Sequence, residues 1–316
     1  MSRIIEHEPG IESRGSAQRL WSGVWGILKD RPSAVVGAVV LGALVLVAIF
    51  APAIAPYGIH QRIGPPFGTP GPYPPLGLDD GGADVLSLLI WGSRISLTVG
   101  FAASIVAIFI GGTVGVLAGY FGGATDTALM RITDYFLAIP DVPLMIVVAA
   151  IWGPSLWHIV LVIGLLLWTS TARIVRAQVK SVRERVYVKR ARALGAGNAR
   201  IIFRHVLPQV APLLVANTVL TIAVAIFDET ALAFLGLSDP SKISWGKMIK
   251  NATESSAISA GAWWTIVPPG VCVAIVILSC TLIGQALEDA LNPRLRVAHL
   301  AARGFRLLPR MLRDEK

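Results

Sequence analysis

Long uncharged apolar stretches recur along this chain, separated by short polar or basic segments, and they predict about six helices that cross a bilayer. The first runs from about Ala34 to Ala51, with Pro52, Pro56 and Tyr57 marking its exit. A second covers about Leu97 to Ala118 and carries Gly111, Gly115 and Gly119, a four-residue spacing that predicts a close helix contact. The third, about Leu129 to Ile151, is expected to kink at Pro140-Asp141-Val142-Pro143. A fourth, Trp157 to Thr171, is short and should continue as helix past Arg173. The fifth and sixth lie at about Pro208 to Phe227 and Trp264 to Gly284.

Between the spans the pattern changes. Leu20, Trp21, Val24, Trp25 and Leu28 recur at helical spacing between Arg19 and Lys29, which predicts a short amphipathic helix in the interface. The Pro- and Gly-rich stretch from Pro56 to Trp91 has no regular period and should be ordered by packing on its neighbours. Expected boundaries are an N-terminal segment 1–33, a first span 34–55, a loop 56–92, a five-helix core 93–290 with a basic loop 173–207, and a tail 291–316.

Composition agrees with lipid as the solvent. The 316 residues are 54% hydrophobic and 15% charged, with a mean hydropathy of +0.66, against about 25% charged residues in an ordinary soluble domain. A net charge of +9 could mark a nucleic-acid binder, but its placement argues otherwise. With the N-terminus inside, only Arg62, Arg94, Lys242, Lys247 and Lys250 of the 28 Lys and Arg fall outside, as inside-positive retention demands. Both termini are therefore expected in the cytoplasm and no nucleic acid is expected as partner. Trp91, Trp152, Trp157, Trp263 and Trp264 fall near span ends, as in an aromatic belt. Residues 1–30 lack a secretory-signal pattern, so the first span is expected to be retained. Cys272 and Cys280 lie eight residues apart in one apolar segment, about 12 Å along a helix and beyond disulfide reach.

Chemistry concentrates in the basic loop between the fourth and fifth spans. Tyr187, Ala191 and Leu194 share one helical face, Lys189, Arg190 and Arg192 lie around the others, Gly195 and Gly197 can end the helix, and Asn198 can cap the next. This loop resembles the cytoplasmic loop of inner-membrane permeases of ABC importers in the dipeptide/oligopeptide/nickel group. Their pattern is E-A-A-x-x-x-G, nine further residues, then H-x-L-P. Here Lys189, Arg190, Ala191, Gly195, His205, Leu207 and Pro208 keep the spacing, with Lys189 for the Glu and Arg190 for the first Ala. Other segments are similar too: Pro75 to Asp84 in the outer loop, Glu229 to Leu237 followed by Ser244-Trp245-Gly246, and Asp289 to Arg296.

The resemblance implies an all-α membrane protein with the type I ABC importer permease fold, a cytoplasmic coupling helix and an N-terminal interfacial helix. It implies a subunit that is not itself an enzyme and imports di- or oligopeptides, or a related solute such as a nickel complex, glutathione or haem. The expected partners are a second homologous permease, two ATPase subunits or one fused ATPase, an extracytoplasmic solute-binding protein and membrane lipid. No cofactor is expected on this chain. ATP and Mg would sit on the ATPases, since no G-x-x-x-x-G-K-[ST] occurs here. Coupling would fall to Tyr187, Lys189, Arg190, Ala191, Leu194, Gly195, Asn198, His205 and Pro208. An ion-coupled secondary transporter is the alternative, though no internal repeat supports it, and a membrane-embedded enzyme lacks any nucleophile elbow or HExxH.

Other polar residues admit two readings each. His205 could relay protons or bind metal; packing before Pro208 is simpler. Arg131 and Asp134 could line a charged pathway, and an i,i+3 ion pair is the simpler reading. Asp228 and Glu229 could face the pathway, receive a binding protein or be structurally paired. His60, Asp79, Asp80 and Asp84 have the chemistry of cation ligands, but no tight spacing, so a folded loop is expected and no metal.

Overall fold

A computed structural model describes residues 31–291. The expected interfacial helix before the first span, the tail, and the end of the Asp289 to Arg296 segment lie outside the described residues. In chain order the helices are α1 Pro32–Ile49, α2 Ala51–Ile54, α3 Val85–Phe121, α4 Gly123–Ala138, α5 Asp141–Trp152, α6 Leu156–Arg183, α7 Val186–Ala193, α8 Asn198–Ile201, α9 Leu207–Phe234, α10 Trp245–Glu254 and α11 Val267–Leu291. A π-helical turn, Ile202–Val206, joins α8 to α9, and a 3₁₀ turn, Trp263–Thr265, precedes α11. Among the described residues no β-strand occurs, only isolated bridges from Arg62 to Ala83 and Leu78 to Asp84.

Among the described residues five helical runs are long and apolar enough to cross a membrane, and α4 with α5 makes a sixth if the bent pair is one span. That third span is broken rather than kinked: α4 and α5 meet at 87°. Pro140 forces Ile139 into extended backbone and itself precedes the first residue of α5. Helix α3 is far longer than its predicted span because it starts inside the outer loop, where the Asp84 side chain accepts from the Ser87 backbone N–H at 2.8 Å. The π turn before α9 has a similar origin. Pro208 cannot donate to Arg204 O and its ring crowds that carbonyl, and the preceding Leu207 N–H bonds to Ile202 O, one residue beyond its α-helical partner.

Helix α3 packs most extensively against α6, and α9 packs against α3, α6 and α11, with α1 laid on α11. The glycine stripe makes the first of these contacts possible. A Cβ at Gly111, Gly115 or Gly119 would stand 2.4, 2.7 or 2.8 Å from the backbone oxygens of Trp168, Ala172 and Arg176 on α6. Large apolar side chains point outward elsewhere, among them Val39, Ile105, Phe109 and Ile151, as expected of faces that meet lipid or another apolar helix.

The outer loop is held by tryptophans. Trp264 Nε1 donates to Leu78 O at 3.0 Å, and Trp91 Nε1 to Tyr57 O at 3.2 Å. The belt reading therefore needs correction at these two: Trp264 is buried and Trp91 half-buried, while Trp152, Trp157 and Trp263 are exposed. Helix α10 was not expected from the sequence; Ser244 caps it, accepting from the Lys247 N–H at 3.3 Å.

Candidate functional site

Two helix ends and one short helix make the site. Helix α6 runs on to Arg183, the chain turns, and α7 extends eight residues to Ala193. Gly195 ends it at φ +82°, a backbone that side chains with a Cβ rarely adopt, and Gly197 precedes α8. One side chain anchors α7 inward: Val188 is fully buried with Val182, Ile201 and Val206. The opposite face is open. Leu194 is 88% exposed, Lys189, Arg190 and Arg192 are exposed, Ala191 is half-buried, and the Tyr187 ring lies 6.2 Å from the His205 ring. His205 thus lies within the π turn and packs against Tyr187, three residues before the exposed Pro208.

Electrostatics on this face are those of solvent-exposed pairs. Lys189 Nζ lies 3.0 Å from Glu184 Oε2, and Lys189, followed by Arg183, holds the Glu184 carboxyl below its ordinary range. Such exposed pairs add little stability. Asn198 departs from expectation. It makes no side-chain cap for α8, and its Oδ1 accepts from the Tyr120 hydroxyl at 2.9 Å. The Tyr120 hydroxyl at the end of α3 takes that oxygen as its acceptor.

Further along the spans, the expected Arg131–Asp134 pair does not form. Asp134 pairs with Arg173 of α6 at 2.6 Å, and Arg131 makes no ion pair among the described residues. Nearby, Asp126 accepts from Arg176 at both carboxylate oxygens and from Lys180 Nζ at 2.7 Å. Sequence reasoning missed this triad. Its readable signal is Arg176 and Lys180 at i,i+4 on one face of α6. Asp228 and Glu229 are both buried and neither makes an ion pair among the described residues, so paired cations do not explain them. Glu229 Oε2 accepts from Ser96 Oγ at 3.1 Å, whose oxygen accepts from the Trp245 N–H at 3.2 Å; Asp228 Oδ2 has no hydrogen-bond partner among the described residues.

At the far end, the loop and the α9–α10 connection enclose an open cleft of about 330 Å³ lined by His60, Arg62, Asp79, Asp80, Lys242 and Lys247. Asp79 is committed to the fold, accepting from the N–H groups of Gly81 at 2.9 Å and Ala83 at 2.7 Å, and burial raises its carboxyl above the usual range. Asp84 is spent on the α3 cap. Among the described residues no three His, Cys, Asp or Glu side chains are grouped to hold a metal ion.

Comparison with known proteins agrees over most of the chain. The family described as the inner membrane component of binding-protein-dependent transport systems matches residues 111–297, and the N-terminal transmembrane domain of oligopeptide transport permease C matches residues 19–66. The chain is 36% identical over 294 residues to the dipeptide transport system permease protein DppC of Alkalihalophilus pseudofirmus, covering 92% of this chain and 95% of that protein. It is 31% identical over 307 residues to the oligopeptide transport system permease protein OppC of Bacillus subtilis, covering 92% and 97%. A solved inward-facing MetNI methionine ABC transporter shares the fold, with a TM-score of 0.50 at 18% identity over 65% of this chain and 96% of that one. The chain is therefore a multi-pass inner-membrane protein of the binding-protein-dependent transport family, a permease subunit of an ABC importer rather than an enzyme.

Proposed function

We propose that this subunit carries di- or oligopeptides across the cytoplasmic membrane by alternating access, with α7 as the coupling helix. The cargo reading rests on the relatives, which are named for dipeptide and oligopeptide transport. The mechanical reading rests on one observation: α7 stands clear of the bundle, fixed through Val188, with Leu194 and Tyr187 presented outward. An apolar side chain as exposed as Leu194 on a short basic helix is what a partner cleft would bury. Partners of this family include ATPase subunits and a binding protein. For this chain we infer two ATPase subunits or one fused ATPase beneath, a second homologous permease beside it, and a solute-binding protein at the outer cleft. ATP and Mg belong to the ATPases, and this chain needs no cofactor.

In this arrangement the N- and C-termini are cytoplasmic, and ATP-driven closure displaces α7 as a rigid body. The free energy comes from partners that bind the two permease states differently. The test is Gly195→Leu. No atom lies within 4 Å of the added Cβ, so the substitution acts through backbone strain of about 1–2 kcal/mol at φ +82°. In proteoliposomes holding the complete transporter, uptake should fall by about tenfold, the equivalent of ~1.4 kcal/mol, while ATP hydrolysis and membrane insertion persist. Normal uptake would remove α7 from the mechanism. Uptake that survives loss of the ATPases would instead support ion-coupled secondary transport.

A further inference from the structure

Three parts of the chain around the coupling helix converge on one residue that no motif singled out. Tyr120 closes the last turn of α3 and is buried. Its hydroxyl donates to Asn198 Oδ1 at 2.9 Å, at the first residue of α8. Its ring carries the Arg192 guanidinium of α7, with Cζ 5.7 Å from the centroid. Its backbone carbonyl accepts from Arg183 Nη1 at 3.0 Å, at the end of α6. The segment entering the elbow, the elbow helix and the segment leaving it thus all contact a single side chain or its peptide group.

We propose that Tyr120 is a positioning residue that clamps the α7 elbow to α3, so that displacement of α7 reaches the transmembrane core instead of being absorbed by the turns around Gly195. This rests on the reading of α7 as the coupling helix. The physical need is plain. Helix α7 has only Val188 fully buried, and an apolar contact without direction lets a short helix roll. A hydroxyl bond has a preferred axis and a cation over a ring a preferred face, so together they fix orientation. The clamp also meets the core at its most extensive helix pair, because α3 runs 37 residues and packs closely on α6 along its glycine stripe.

Tyr120→Phe removes only the hydroxyl and keeps the ring and its apolar packing. Asn198→Ala removes the acceptor. Each variant is purified in the complete transporter, and uptake of labelled dialanine and ATP hydrolysis are measured in the same vesicles. Both should raise the ATP consumed per dialanine by about threefold or more, the scale of one hydrogen bond, and the double variant should add nothing further. A purely structural role would lower the yield of assembled complex and leave that ratio unchanged. An unchanged ratio in Tyr120→Phe, or effects of the two substitutions that multiply, would overturn the clamp. Gly195→Leu in the same vesicles separates the two ideas. If it uncouples and Tyr120→Phe does not, only the clamp fails; if it transports normally, the coupling helix itself fails.

Discussion

At the scale of single residues, a few polar groups find partners far away in sequence, and those long-range bonds carry the outer loop as well as the site. Trp264 shows the logic. Its ring joins the apolar cluster of Leu88, Trp245 and Val276 while its Nε1 donates to Leu78 O, 186 residues away. The loop bonds to itself at several points, such as Ile63 N–H to Gly82 O and Phe67 N–H to Asp79 O, and the carbonyl of the buried Leu78 takes its donor from outside. Trp264→Phe keeps most of the ring and leaves Leu78 O without its donor, a cost of about 1–3 kcal/mol. Lower thermal stability in detergent and faster protease cleavage within residues 56–84 are the expected readouts. Unchanged cleavage would mean that the loop is held by its apolar contacts alone. The same principle redirects Asn198. A residue type suited to capping is drawn off by a buried phenol within 2.9 Å, and the short α8 forms without a side-chain cap.

At the scale of elements, the dominant feature is backbone-to-backbone approach of α3 and α6. Lipid supplies no hydrophobic drive between helices, so van der Waals contact and interhelical polar bonds must do the holding, and small residues let them act. Gly115→Val tests this. Its Cβ would fall 2.7 Å from both Ala172 O and Val175 Cβ, and neither a carbonyl in a helix nor a β-branched stem can move aside. The helices must part, at about 1–3 kcal/mol or more, read as a lower unfolding temperature and less folded protein. Gly42→Val on the exposed face of α1 is the control, since nothing lies within 4 Å of the added atom. Equal losses in both would show that valine, and not the contact, is responsible. The polar counterpart of this packing is Asp126 with Arg176 and Lys180, which joins α4 to α6 near the same end.

At the scale of the whole molecule, its two ends are chemically different. One gathers the arginine-rich elbow, the Asp126 triad and the Arg31–Asp289 pair at 2.5 Å that joins the start of α1 to the end of α11. The other carries the tryptophan-anchored loop, α10 and the mixed-charge cleft. Cysteine mapping tests the orientation proposed for them. With Cys272 and Cys280 replaced by Ser, Tyr73→Cys, whose parent side chain is 83% exposed, should react with an impermeant maleimide added outside. Leu194→Cys should react only after the cells are opened. Labelling of both from one side would overturn the proposed topology and, with it, the coupling role of α7.

What the order of residues determined by itself was the set of spans, the basic loop with its helix and turn, the tight face of α3 and the family. Each of these is a local property: length and apolarity decide what can sit in lipid, and a repeat of four decides which glycines share a face. The Gly195 turn belongs here too, since only one residue type takes φ +82° without strain. Tertiary structure alone decided which charges meet. Asp134 passes over Arg131, three residues away, for Arg173, 39 residues away, because α4 lies across α6 there and the distance between helices, not along the chain, sets the Coulomb energy. It also decided the 87° angle between α4 and α5, of which Pro140 marks only the place, and the convergence of three segments on Tyr120. Those features depend on where a neighbouring helix comes to rest, and no pattern within a single segment records that position.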